Sequence, residues 1–271
     1  MQADAELFVA WAQWAGQHAL ALFVVLLALL LAASCLGWWT VQRYTAPLRQ
    51  QNTSPTLLMG LRMAAGCAVI LLGATLFVAL AGQLGATGIL GHADQAFTDA
   101  LRASVPRAAL QVFAALTHLG DTATLTALCI VIAIALIARG RRWLALGWVL
   151  ALAGNGLLNQ TLKHLFGRGR PLEQVGLVLE PGFSFPSGHS SGSVVAYGML
   201  AYLELRLLAP RWHLPALLAA LALAGTVGAS RLFLRVHFAS DVIAGFASGA
   251  AWLALCVTSI ELMRWWRQRA A

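Results

Sequence analysis

Hydrophobic residues in this chain come in long unbroken runs, not in the alternation of a half-buried strand or the one-faced stripe of a soluble helix. Seven stretches, at roughly 19–39, 63–84, 121–138, 143–161, 189–208, 214–230 and 241–262, approach or exceed the ~20 apolar residues a helix needs to cross a hydrocarbon core of about 30 Å. None carries a charge near its middle, where an Arg or Asp costs about 2.5–3.5 kcal/mol. The acidic residues Asp121, Asp241 and Glu261 stand at the ends of runs. The pattern predicts an all-α, polytopic membrane helix bundle.

Between the runs, residues 40–62, with Pro47 and Pro55, read as a linker. The chain then divides into an N-terminal transmembrane helix with its linker, 1–62, and a membrane domain, 63–271. The first run follows Asp4 and Glu6 instead of a basic segment and is longer than the apolar part of a signal peptide, so it reads as a retained helix. Residues 87–120 differ from the rest. Phe97, Leu101 and Val105, then Leu110, Phe113 and Leu116, recur at helical spacing around Pro106, which predicts one or two short helices lying on the membrane face.

Composition agrees: 60% of the 271 residues are hydrophobic and 10% charged, against about 25% charged in a soluble domain. A disordered chain, a nucleic-acid-binding module and an ordinary cytosolic enzyme are all excluded, so the net charge of +8 points to membrane topology and anionic substrates and not to nucleic acid. Eleven Arg (43, 49, 62, 139, 141, 142, 206, 211, 264, 267 and 269) fall in loops or ends on one side of the membrane. Arg102, Arg107, Lys163, Arg168, Arg170, Arg231 and Arg235 fall on the other. The bias places the C-terminus in the cytoplasm and the N-terminus outside. Trp38, Trp39, Trp143, Trp212, Trp265 and Trp266 near run ends fit interfacial anchoring. Cys35, Cys67, Cys129 and Cys256 sit singly within apolar runs, with no metal-binding or disulfide spacing.

Most polar residues of interest gather in three segments, Lys163 to Arg170-Pro171, Phe185-Pro186-Ser187-Gly188-His189-Ser190, and Ser230-Arg231 to His237 and Asp241, and the first and third hold five of the seven outer cations. Lone cations so close together would repel one another. Converging loops would instead form a positive pocket suited to a compact dianion, with Arg offering bidentate hydrogen bonds and Lys a point charge. Ser187-Gly188-His189 opens a run, so helix N-terminal N–H groups would face the same volume. His237 and Asp241 are four apart, so the carboxylate can fix one imidazole nitrogen and leave the other to attack. His189 is then available to protonate a leaving alkoxide. His18, His92, His118, His164 and His213 lack such partners and read as interfacial polar groups.

These residues resemble the type-2 phosphatidic acid phosphatase superfamily, which includes vanadium haloperoxidases and glucose-6-phosphatase. Its signature is Lys, six residues, Arg-Pro; Pro-Ser-Gly-His; and Ser-Arg, five residues, His, three residues, Asp, and this chain matches every fixed position. The resemblance implies a six-helix phosphatase core, here with one extra N-terminal transmembrane helix, and no metal or other cofactor. It implies a phosphohistidine on His237, oriented by Asp241, with His189 as acid and then base. Lys163, Arg170, Ser187, Gly188 and Arg231 would hold the phosphate. Arg235 stands where many members have a small residue and Ala239 where Pro or Trp is common, and Arg168 and Arg235 are candidate headgroup contacts. The expectation is a metal-independent membrane lipid phosphatase of a bacterial inner membrane. It would cleave the terminal phosphate of a lipid phosphate or diphosphate at the outer face. Undecaprenyl diphosphate, phosphatidic acid, phosphatidylglycerophosphate and lipid A all remain open as substrate. A phosphotransferase passing the phosphate to a sugar or lipid, and a non-catalytic anion transporter, are the alternatives. The oligomeric state is open, with Gly245 and Gly249 as a small-residue pair that serves contacts either within or between chains.

Overall fold

A computed structural model describes residues 2–50, 54–85, 88–171, 178 and 180–270. Among them there is no strand, and ten α-helices run α1 Gln2–Gln17, α2 Ala19–Gln50, α3 Pro55–Ala81, α4 Ile89–Ser104, α5 Arg107–Leu116, α6 Thr122–Ala138, α7 Arg142–Phe166, α8 Gly188–Leu207, α9 His213–Phe233 and α10 Ala239–Ala270. Short 3-10 turns at Thr117–Gly120 and Pro210–Trp212 lead into α6 and α9.

Each of the seven apolar runs lies almost wholly within one helix. Among the described residues, four helices are long and apolar enough to cross a membrane, over Ala19–Tyr44, Thr56–Ala81, Pro210–Phe233 and Ala239–Arg269. A fifth crossing arises if Arg107–Gly120 and Thr122–Ala138, which meet at 44°, form one bent unit. The other two runs lie on α7 and α8. These are less apolar because their inner faces carry Asn155, Asn159, Ser190, Ser191 and Ser193, all buried. Helices α2 and α3 are their opposite, with only 6% of the most apolar window of each buried, as expected of lipid-facing surface.

Two parts of the chain depart from the sequence reading. Residues 40–62 are mostly helix: α2 continues to Gln50, and α3 begins at Pro55 behind Ser54, whose hydroxyl accepts from Leu57 N at 3.1 Å. Pro at the first helical position and Ser at the cap are a natural helix start, so Pro55 marks a boundary and not a loop. Helix α1 was not anticipated. It packs along α4, where the hydroxyl of Ser104 donates to Gly16 O at 2.9 Å.

The core lies between α6, α7, α8 and α10 around the fully buried Trp148, Val195 and Met199. Trp148 Nε1 donates to Cys129 O at 3.0 Å and Trp252 Nε1 to Ala151 O at 2.8 Å, so both indole N–H groups are satisfied. Phe113 and Phe233 stack with centroids 4.3 Å apart, and Phe23 meets Phe113 edge-on, binding α5, α9 and α2 together. A Cβ at Gly245 would fall 2.6 Å from Ser187 O, and one at Gly249 would fall 2.9 Å from Ser191 Cα. The small-residue pair therefore serves the packing of α10 on α8 within the chain.

Candidate active site

The ends of α7, α8 and α9 and the start of α10 meet at one end of the bundle, and the three motif segments come together there. Gly167 ends α7 in the left-handed conformation (φ 57°), which glycine adopts without a Cβ penalty. The chain turns back at once, so Lys163 in the last helical turn and Arg168 and Arg170 beyond it address the same volume. Lys163 Nζ donates to Phe183 O at 2.6 Å. The hydroxyl of Ser184 donates to Gly169 O at 2.7 Å and pins the returning strand of the loop to the outgoing one.

Ser187 caps α8: its buried Oγ accepts from Ser190 Oγ at 2.9 Å and more weakly from Ser190 N at 3.4 Å. Its own N–H donates to Asp241 O at 3.0 Å, tying the start of α8 to the first turn of α10. Gly188 follows beneath Asn159, whose Oδ1 would stand 3.0 Å from a Cβ there. The two residues allow a close backbone approach and leave the first-turn N–H groups of α8 directed at the cup.

The segment after α9 folds around one carbonyl, with Val236 N and His237 N both donating to Arg231 O at 3.2 and 3.3 Å. Arg235 within it takes a left-handed φ of 53°, an unusual conformation for a branched-charge side chain. Asp241 stands at the third position of α10. Its Oδ2 accepts from Phe238 N at 2.9 Å, as an acid does when it closes a helix start from inside. The same oxygen lies 3.4 Å from His237 Nδ1. Arg170 Nη1 lies 3.2 Å from His237 Nε2 and donates to Val236 O at 2.8 Å, so it holds the ring and its backbone together. A guanidinium has only donors. Its contact with Nε2 therefore requires the lone pair on that nitrogen and puts the imidazole proton on Nδ1, toward Asp241. Burial, with the positive charges of Arg170, Arg231 and Lys163, holds the pKa of His237 well below its ordinary value. The ring is neutral at neutral pH.

Arg231 is completely buried, with Nη1 donating to Thr117 Oγ1 at 2.6 Å and Nη2 to Glu180 Oε1 at 2.5 Å. The other oxygen of Glu180 is 3.9 Å from Arg170 Nη2. Glu180 thus lies between the two arginines expected to clamp phosphate. Burial pushes its carboxyl up, but Arg231, His189 and Arg170 together outweigh that and hold it below the usual range. Arg231 Nε is buried without a partner among the described residues.

Most of the expected site residues meet here, and two assignments change. Arg168 does not face a headgroup. Nη1 donates to Asp241 Oδ1 at 2.6 Å and to Ser240 Oγ at 2.7 Å, Nη2 to Asp94 Oδ2 at 2.8 Å, and the guanidinium lies 4.4 Å over the Phe238 ring. Two carboxylates and an aromatic face occupy it fully, so it orients Asp241. His118 is not a lone interfacial group, since its Nδ1 lies 2.7 Å from Asp121 Oδ2. The other oxygen of Asp121 lies 2.8 Å from His189 Nε2, which gives the second histidine a carboxylate of its own.

Asp94, Thr117, Asp121 and Glu180 were not anticipated from the sequence. For Asp94 a signal existed. It lies three residues before Phe97 and seven before Leu101, on the face of α4 that packs inward, and a carboxylate there needs a cation. It is buried, and besides Arg168 it accepts from Ser240 N at 3.1 Å and from the Ser240 hydroxyl.

Against known proteins, the PAP2 superfamily model matches residues 142–265. Phosphatidylglycerophosphatase B of Bacillus subtilis is 34% identical over 167 residues, 59% of this chain and 79% of that protein. This chain belongs to the PAP2 superfamily. The crystal structure of a transmembrane PAP2-type phosphatidylglycerolphosphate phosphatase from Bacillus subtilis superposes with a TM-score of 0.65 and 31% identity, over 70% of this chain and 96% of that one. A lipid A 1-phosphatase of Rhizobium johnstonii is 36% identical over 119 residues, 41% of this chain, which spans 44% of that protein's length. The PAP2 match runs from α7 into α10 and so contains all three motif segments. Asp94, Thr117 and Asp121 lie before it, and α4 and the turn after α5 bring them to the site.

Proposed function

We propose that this chain removes the terminal phosphate of a lipid phosphate or diphosphate through a phosphohistidine on His237. Membership of the PAP2 superfamily and the phosphatase relatives carry the coarser statement, a multi-pass membrane lipid phosphate hydrolase. The mechanism rests on one observation: His237 Nδ1 faces Asp241 while Nε2 faces Arg170 and the cationic cup.

The phosphate oxygens would lie among Arg170, Arg231, Lys163 and the first-turn N–H groups of α8, displacing the carboxylate of Glu180. As the phosphate takes up Arg170, the guanidinium leaves Nε2, and the freed Nε2 lone pair attacks phosphorus from the side opposite the ester oxygen. His189 acts as an imidazolium, its positive charge stabilised by Asp121 and the bound phosphate dianion, and as the P–N bond forms and the P–O bond breaks it gives its proton to the departing alkoxide. Asp241 stabilises the positive imidazole, and Arg168 and Asp94 hold Asp241 in place. Water then enters, gives a proton to His189 and attacks the phosphohistidine. The P–N bond breaks, inorganic phosphate leaves and His237 is restored. Phosphoryl transfer asks mainly for positioning and neutralisation of charge on the equatorial oxygens, which the arginines and N–H groups supply without a metal in any step.

The excess of Arg at the other end of the bundle supports an orientation with the cup outside and the C-terminus in the cytoplasm. The substrate belongs among lipid phosphate monoesters and diphosphates, a group that includes phosphatidylglycerophosphate, the lipid A 1-phosphate and undecaprenyl diphosphate.

The test is release of free phosphate from purified enzyme with a single lipid phosphate. His237→Ala abolishes it, His189→Ala accumulates radiolabelled phosphoenzyme, vanadate inhibits and a chelator has no effect. Full turnover in the His237 variant overturns the mechanism, and transfer to an added alcohol with no free phosphate overturns the hydrolase reading.

A further inference from the structure

At the end of the bundle away from the cup, a cavity of about 250 Å³ is lined by Arg62, Arg206, Glu261, Arg264, Trp265 and Gln268, with Leu58 and Met59 at its edge. Arg206 lies 18 residues into α8 from its start at Gly188, so the cavity is about 27 Å along that helix from the phosphate clamp. Three helices supply it: α3 with Leu58, Met59 and Arg62, α8 with Arg206, and α10 with Glu261, Arg264, Trp265 and Gln268.

Its charge is out of balance. Arg206, Arg62 and Arg264 approach the single carboxylate of Glu261 at 3.5, 3.8 and 4.0 Å. These are ion-pair distances but too long for good hydrogen bonds, and among the described residues the hydrogen bond at Glu261 comes from the Tyr202 hydroxyl at 2.6 Å. In the cup Arg231 and Arg168 meet carboxylates at 2.5 to 2.8 Å. Three cations around one anion leave a surplus of two positive charges, with guanidinium donors spaced about a gap that a second anion would close.

The surroundings show what that anion is attached to. Arg267 stacks 3.7 Å over Trp143 and Arg269 3.9 Å over Trp265, while Trp266 is exposed beside them, an aromatic-cationic belt of the kind that lies at headgroup depth. Leu58 and Leu61 on α3 and Leu262 on α10 are exposed next to the cavity and offer an apolar flank to acyl chains. We propose that this cavity binds the phosphodiester headgroup of an anionic membrane phospholipid, in the leaflet opposite the one that presents substrate to the cup. The site is separate from the catalytic reading and stands or falls without it.

Native mass spectrometry of the full chain in detergent, with phosphatidylglycerol or phosphatidylcholine at equal concentration, tests it. Both probes are diesters and so are not lipid phosphate monoesters. Phosphatidylglycerol is expected to be retained over phosphatidylcholine. Each arginine near an anionic lipid surface is worth about a fivefold change in binding, so Arg264→Gln loses about fivefold and Arg206→Gln with Arg264→Gln about 25-fold. Arg264→Gln leaves Glu261 with two arginines and the Tyr202 hydroxyl, so it keeps the helix junction if the double variant does not fold. Rising salt weakens retention by the wild-type protein. Arg231→Gln, a change in the cup, leaves the preference unaltered. Equal retention of the two lipids, or wild-type preference in both arginine variants, overturns the proposal. So does loss of preference in Arg231→Gln, which moves the lipid to the cup, or full competition by inorganic phosphate, which makes a free anion the ligand.

Discussion

The two histidines of the cup are supported in opposite ways. His237 stands at the head of a buried relay, in which Asp241 faces its Nδ1, Arg168 holds Asp241, and Asp94 on α4 holds Arg168. His189 rests on Asp121, whose other oxygen meets His118, and the side chains of Asp121 and His118 are 35% and 64% exposed. A nucleophile must keep one nitrogen aimed along one line, so fixed neighbours serve it. An acid that turns into a base in the next step must exchange a proton with water in every cycle, and a carboxylate and imidazole at the surface give that proton a path. On the proposed mechanism, the side that would form the covalent bond is thus held by buried partners, and the side that would handle protons is open to solvent.

The strongest way to break this comparison is at the far end of the relay. Asp94→Asn removes the second carboxylate from Arg168, frees it to turn and lets Asp241 drift from His237. Misplacing a reacting group by about 1 Å costs about 10²-fold in rate. The expected result is a fall in kcat of about that size with little change in KM, since Asp94 does not touch the clamp. A change confined to KM would show that Asp94 serves binding instead. Folding is checked by thermal melting, because breaking a buried ion pair costs about 3–5 kcal/mol. The buried neutral His237 adds a pH term. Its pKa is lowered on folding, so below about 6.5 the unfolded chain takes up the proton the folded chain refuses, and stability falls as pH drops through that range.

On the wet side the effect is smaller and depends on the substrate. Asp121→Asn leaves His189 in place but without the charge that orients it. Turnover of a lipid alkyl phosphate is expected to fall about tenfold, a fraction of what a general acid contributes. An aryl phosphate with an activated leaving group needs no proton to depart, so with that substrate the defect shrinks or disappears. The Asp94→Asn defect persists with both substrates, because both must be attacked by His237. Equal defects with the two substrates in Asp121→Asn would mean that Asp121 only supports the fold.

How much of this the sequence disclosed follows from the range of its signals. The membrane helices were legible because burial in lipid needs long apolar runs, and the three motif segments because their spacing places donors and imidazoles on adjoining helix ends. Arg168 drew a headgroup role because it stands off the motif that falls on Arg170, and nothing in the loop sequence shows which carboxylates it meets. Gly167, the bonds from Ser184 and the presence of Asp94 turn Arg168 toward Asp241 while Arg170 reaches His237. Asp94 and Asp121 carry no motif at all. Their partners lie 74 and 68 residues further along the chain, and only tertiary packing brings them there. Helix α1 was missed although Leu7, Trp11 and Trp14 recur at helical spacing, because the stretch falls before the first long apolar run; these side chains are exposed and do not face the bundle.

Between the two sides lies Glu180, and the smallest expected change tests what it does there. Its carboxylate bonds the buried Arg231 and faces Arg170, the position a phosphate would occupy. If it competes with substrate, Glu180→Gln lowers KM and tightens inhibition by vanadate and by product phosphate, each by about fivefold, the worth of an ion pair of about 1 kcal/mol. The chemical step is untouched, so kcat holds steady or falls if phosphate release limits it. The same substitution takes the countercharge from buried Arg231 and so lowers the melting temperature when no anion is present, and added phosphate restores it. Because the arginines hold the Glu180 carboxyl below its usual range, it remains charged in mildly acid solution. The difference in KM between the two proteins therefore persists as the pH is lowered from neutral. A Glu180 that served only to position Arg231 would give the reverse, with weaker binding of every anion and no rescue by phosphate.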